Sequence, residues 1–157
     1  MRIHLNRGDV AAARTSLANL RQMGDTFASS RPQEAYLTWI EGMIAEIEDG
    51  DCSRALASYD RASTLSPLGA LYRASRLRCL TTLGRWKDAE TEVAWLLERI
   101  PGNARYRLDV ARYHVARGQT DEATTHLEAA LGFWSEADAD YIPAREARAL
   151  LAELRRS

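Results

Sequence analysis

Leu83-Gly84-Arg85-Trp86-Lys87-Asp88-Ala89-Glu90 is the stretch whose reading decides how this chain folds. The glycine ends one helix, a short polar turn follows, and a second helix starts almost at once. Glycine suits that junction because helices commonly close in the left-handed conformation, which costs other residues about 1 kcal/mol or more. Beyond Ala89, Val93 and Leu96 fall at steps of four and three, which is one face of a helix. Pro101 closes the unit, since proline fits the entry of a helix and not its interior.

The scheme recurs to either side. Gly50, Gly84 and Gly118 are spaced by 34 residues, and each is followed five residues later by an alanine: Ala55, Ala89 and Ala123. From Gly50 the series runs Ala55, Tyr59, Ala62 and Pro67; from Gly118 it runs Ala123, Leu127 and Ala130, with Ser135 in place of proline. A weaker copy begins at Gly8, with Ala13, Leu17 and Leu20. Gly8 precedes Gly50 by 42 residues, and the eight-residue surplus is assigned to the polar segment from Asp25 to Gln33. A fixed period of this length marks a chain made by stacking one small unit. Stacks present extended surfaces rather than pockets, which favours binding over catalysis. The alanines have a mechanical role: a methyl side chain lets two helix axes approach to about 8 Å.

Glycine, alanine, an aromatic or aliphatic residue, a small residue and proline on this period resemble the tetratricopeptide repeat. Trp39, eleven residues before Gly50, stands where that family often carries tryptophan. The resemblance covers about residues 1–135 and implies an all-α fold, a right-handed α-solenoid of helix-turn-helix repeats with a C-terminal capping helix. The expected organisation is one domain over 1–157. It comprises a partial first repeat (1–24), a linker insertion (25–33), repeats at 34–67, 68–101 and 102–135, and a capping helix at 143–156. In that last helix Ala147, Leu150, Leu151 and Leu154 form one apolar stripe, with Arg145, Arg148, Arg155 and Arg156 off it. The first helices depart from the family pattern. Ahead of Gly50 the apolar stripe Tyr36, Ile40, Met43, Ile44 and Ile47 is displaced by one residue, and Arg73 and Arg76 stand where apolar residues are usual.

Bulk properties narrow the function classes. Hydrophobic residues are 46% and charged residues 27% of the 157, ordinary values for a globular chain long enough to bury about two-thirds of its unfolded surface. Net charge is −1, but residues 68–118 carry +5 while the flanking segments carry −2 and −4. Lys87 is the only lysine in that basic band. Cys52 and Cys79 are too few for a metal site or a disulfide framework and fit a reducing compartment as small apolar residues. No apolar run approaches the roughly 18 residues of a membrane span, and Arg2, Asn6, Arg7 and Asp9 interrupt any secretory core, so a cytoplasmic location is expected.

Catalytic and metal signatures are missing. His4, His114 and His126 lack the carboxylate or cysteine spacing that completes a ligand set. Glu136, Asp138 and Asp140 imitate a calcium loop but have Tyr141 where glycine is required, which reads as a solvated loop. No phosphate loop, metalloprotease helix or nucleophile elbow occurs, so neither enzyme activity nor a cofactor is expected. The aromatic residues are assigned mainly to packing, and they are not interleaved with the dense basic track that nucleic-acid stacking requires.

In the resembled family the first helices line an inner curve that binds extended peptides or partner helices. That implies candidate groove residues Leu71, Ala74, Arg78 and Thr81 in one repeat and Arg105, Leu108, Arg112 and Val115 in the next. Leu37, Ile40, Ile44 and Ile47 are the candidates in the repeat before them. Arg78, Arg105 and Arg112 on one face suit carboxylates, so the expected partner is a protein or peptide with acidic and apolar side chains. Only seven residues precede Gly8, so the chain is expected to begin inside a helix, as a piece of a longer protein. The alternative is a homo-oligomerisation module that pairs through its open N-terminal edge.

Overall fold

The computed structural model describes residues 10–26 and 30–156. Gly8, His4 and the N-terminal edge on which the oligomerisation alternative rests lie outside the described residues. Among the described residues every regular element is a helix: α1 Val10–Thr26, α2 Arg31–Asp49, α3 Cys52–Leu65, α4 Ala70–Thr82, α5 Trp86–Arg99, α6 Ala104–Ala116, α7 Thr120–Phe133 and α8 Ile142–Leu154. Helix thus occupies both ends of the 25–33 segment. The chain forms two compact units, Met1–Leu83 with α1–α4 and Gly84–Ser157 with α5–α8, whose boundary falls between the two helices of the 68–101 repeat.

The period read from the sequence reappears in the backbone. Gly50, Gly84 and Gly118 have φ of 63°, 67° and 71°, the left-handed conformation that closes a helix. Each helix that follows has the same buried face: Ala55, Ala89, Ala123, Ala62, Leu96 and Ala130 are all fully inaccessible to solvent. Pro67 and Pro101 are exposed at the ends of their repeats. Their carbonyls each accept a hydrogen bond from an arginine six residues on, Arg73 Nε at 3.3 Å and Arg107 Nε at 2.8 Å. These two arginines are themselves one period apart. They explain a departure from the usual apolar pattern, because Arg73 ties down a helix entry instead of filling the core.

Within the first unit α2 and α3 form the tightest pair. Gly42 is the point of closest approach: a Cβ built there would lie 2.5 Å from the Tyr59 ring. Tyr59 is fully buried, as is Ala55 on the same face of α3. The small residue at this crossing is Gly42, one position before Met43, in keeping with the one-residue displacement of the α2 stripe. Arg14 and Arg21 on α1 pair with Glu48 and Glu41 on α2. Arg61 joins α3 to Glu34 of α2 at 2.6 Å, and Arg76 joins α4 to Asp60 of α3 at 2.6 Å.

In the second unit α6, α7 and α8 share a core of Leu108, Ala111, Leu127, Ala147 and Leu151, with Leu131, Trp134, Leu150 and Leu154 packed against it. The stripe assigned to the last helix is the face that meets this core, and Arg145, Arg148, Arg155 and Arg156 stay exposed.

The two kinds of glycine respond differently to a methyl group. At Gly118 an added Cβ meets nothing within 4 Å, so Gly118→Ala costs only backbone strain, about 1 kcal/mol. At Gly42 the same change drives into the Tyr59 ring and costs about 2–3 kcal/mol by overpacking. Urea titration of both variants checks the order; Gly42→Ala must be the less stable.

Candidate functional site

The groove candidates separate by burial. On α4, Ala74 is buried, Leu71 is exposed, and Arg78 and Thr81 are half-buried. On α6, Leu108 lies inside the core of the second unit, Arg105 is exposed, and Arg112 and Val115 are half-buried. Leu108 is closed off because α8 covers it. On α2, Leu37, Ile40 and Ile44 are core residues and Ile47 alone is exposed.

Two of the three arginines already hold carboxylates of their own chain. Arg78 reaches from α4 back to Glu46 on α2, with Nε and Nη2 each 3.3 Å from a carboxylate oxygen, and Nη2 also donates to Ser75 Oγ at 3.1 Å. Tyr59 donates its hydroxyl to Glu46 at 2.5 Å, and Trp39 donates its indole N–H to Ser75 at 2.9 Å. The network links α2, α3 and α4. Burial, with the Glu46 charge second, pushes the Tyr59 hydroxyl far above its ordinary pKa, so it stays a donor. Arg112 occupies the equivalent place one period later. It donates to buried Asp109 at 2.9 Å and to Glu146 on α8 at 2.7 Å. Arg105 differs: it is exposed, and none of the described residues pairs with its guanidinium.

A second cluster lies at the turn between α6 and α7. His114 and His126 stack with ring centroids 5.3 Å apart and planes 15° from parallel. His114 Nδ1 pairs with Gln119 Oε1 at 3.0 Å, and His126 Nδ1 lies 3.2 Å from Arg107 Nη1. Tyr113 sets its edge against His114 and Trp86, while Arg117 covers the Tyr113 ring and donates to its hydroxyl at 2.7 Å. The sequence places these histidines twelve residues apart without showing that they touch; the antiparallel pairing of α6 and α7 brings them together. Parallel rings do not aim their lone pairs at one point, which disfavours chelation. Among the described residues no group of three or more histidine, cysteine or acidic side chains could hold a metal ion.

Glycine-closed helix pairs with exposed first-helix side chains define a helical-repeat protein. A sequence model of the family described as "Tetratricopeptide repeat" matches residues 44–104 and 80–142, more than half of the chain. The chain belongs to the tetratricopeptide repeat family, and this places it among protein-interaction scaffolds. It is 35% identical over 78 residues to the TPR repeat-containing thioredoxin TTL4 of Arabidopsis thaliana, and 33% identical over 78 residues to the inactive TPR repeat-containing thioredoxin TTL3 of the same plant. Each match covers 50% of this chain and 11% of the relative, so the chain spans only a small part of the length of those proteins. Two solved structures of MamA show the same fold. The RS-1 ArsTM double mutant gives a TM-score of 0.60, and the chain from residue 41 to the end from Desulfovibrio magneticus RS-1 gives 0.58. Both are 16% identical, with 99% of this chain and 90% of theirs covered. Among the described residues no helix is long and apolar enough to cross a membrane.

Burial, followed by the neighbouring His114 and the Arg107 charge, lowers the pKa of His126 to about 4. The unfolded chain therefore takes up a proton near pH 6.5 that the folded chain refuses until about pH 4. Stability is full above that window and falls as pH drops through it, by on the order of 1–2 kcal/mol once solvent screening of a half-exposed group is allowed for. Urea denaturation at a series of pH values should show this loss in the parent chain and a shallower slope in His126→Gln.

Proposed function

We propose that this chain is a non-catalytic module that holds an extended peptide or partner segment against the exposed side chains of its first helices. The partner carries acidic and apolar groups. The observation behind this reading is Arg105, an exposed guanidinium without a partner among the described residues. It stands seven residues, two helical turns, from the half-exposed Arg112, with Val115 three residues beyond. Arg112 already engages Asp109 and Glu146, so an incoming carboxylate meets Arg105 first and competes for Arg112 second. In the first unit, taken by itself, Leu71 is exposed on α4, while Arg78 serves its own network. In this reading the module is the interaction part of a larger cytoplasmic protein.

An array of short peptides bearing glutamate, aspartate and leucine, probed with the labelled chain, would find the preferred sequence. Binding of the best peptide should weaken with added salt. Arg105→Glu should weaken it by about tenfold, while Lys87→Glu, on α5, leaves it unchanged. Salt-independent binding that tolerates Arg105→Glu would contradict the assignment.

A further inference from the structure

Cys52 and Cys79 stand 27 residues apart in the sequence, yet the fold brings them together. Cys52 opens α3, and Cys79 lies in the last turn of α4. The two helices pack against each other, with the entry of one beside the exit of the other, and Cys52 lies near enough to Cys79 to help raise the pKa of its thiol. Both cysteines are free and buried. Cys79 is sealed, at 0% exposure, whereas Cys52 retains 8% at the first position of its helix.

We propose that Cys52 and Cys79 are an oxidisable pair that closes to an intramolecular disulfide when the chain meets a low-molecular-weight disulfide such as oxidised glutathione. Cys52 is reached first. Its thiolate attacks one glutathione sulfur, forming a mixed disulfide and expelling one glutathione thiolate, which takes up a proton. The Cys79 thiolate, once its own proton has gone to solvent, attacks the Cys52 sulfur. That step expels the second glutathione as a thiolate, which is protonated in turn. The two protein thiols are oxidised by two electrons and one glutathione disulfide is reduced to two thiols. Burial pushes the Cys79 thiol well above the ordinary cysteine range, so this closure is slow in the native chain and quickens with rising pH. The bond ties the second helix of one repeat to the first helix of the next. Through Cys79 it fixes α4, whose adjacent Arg78 holds the Glu46 network.

The full chain is incubated with oxidised glutathione at about pH 8, in urea kept below the unfolding transition. Thiol titration after denaturation, intact mass and peptide mapping are read together. The expected result is a monomer that has lost both thiols and two hydrogen atoms of mass, retains no glutathione, yields a Cys52–Cys79 peptide and melts higher until reduced. Cys79→Ser should stop at a glutathione adduct on Cys52, and Cys52→Ser should react at least about tenfold more slowly. Circular dichroism confirms that both variants remain folded. Thiols that stay free until the chain unfolds would overturn the proposal. So would glutathione retained on the parent protein, or bonds between chains.

Discussion

Two helices can lie side by side within a short repeat only if something small stands between them and the chain can reverse in a very few residues. Both conditions are met by single residues here. Gly50, Gly84 and Gly118 reverse the chain in the left-handed conformation. Gly42 lets the Tyr59 ring press against the α2 backbone, and Ala55, Ala89 and Ala123 occupy the same buried place in successive second helices. The rest of the architecture follows from that repetition. The buried stripes, the exposed prolines and the arginines that bond to proline carbonyls all return at the same interval.

The arginine-rich middle of the chain is largely consumed by the fold. Arg73 and Arg107 hold helix entries, Arg76 and Arg78 reach preceding helices, and Arg112 reaches the following one. A guanidinium does this well because its planar fork can bond two oxygens at once. The consequence for function is that the surface field is weaker than a local charge of +5 suggests. In the proposed function, recognition falls to Arg105 in the second unit and, separately, to exposed apolar residues such as Leu71 in the first. So few uncommitted cations suit selective contact with a protein segment better than indiscriminate binding of polyanions.

The fold was legible wherever one residue type answers one backbone need. A glycine at a left-handed turn and an alanine at a helix crossing have few substitutes, so their spacing can be read directly. The site was less legible because its partners come from elsewhere in the chain. Nothing in the spacing pairs Arg78 with Glu46, 32 residues away, or Arg112 with Glu146, 34 residues away. Leu108 reads as a surface position until α8 is laid over it. The nearness of Cys52 to Cys79 and the stacking of His114 on His126 likewise depend on which helix ends meet. Gly42 did leave a signal, since it is the single glycine within α2 and adjoins the displaced stripe.

The central claim is that stability resides in local contacts between neighbouring helices and not in one shared core. Native-state hydrogen exchange on an Ala123→Leu variant tests it most directly. Extra methyl groups at that fully buried position disturb the α6–α7 crossing and its contact with α8. The account predicts faster exchange in α6, α7 and α8, by about tenfold or more, with the protection of α2 and α3 unchanged. Equal acceleration across all helices would show a single cooperative core and contradict the account.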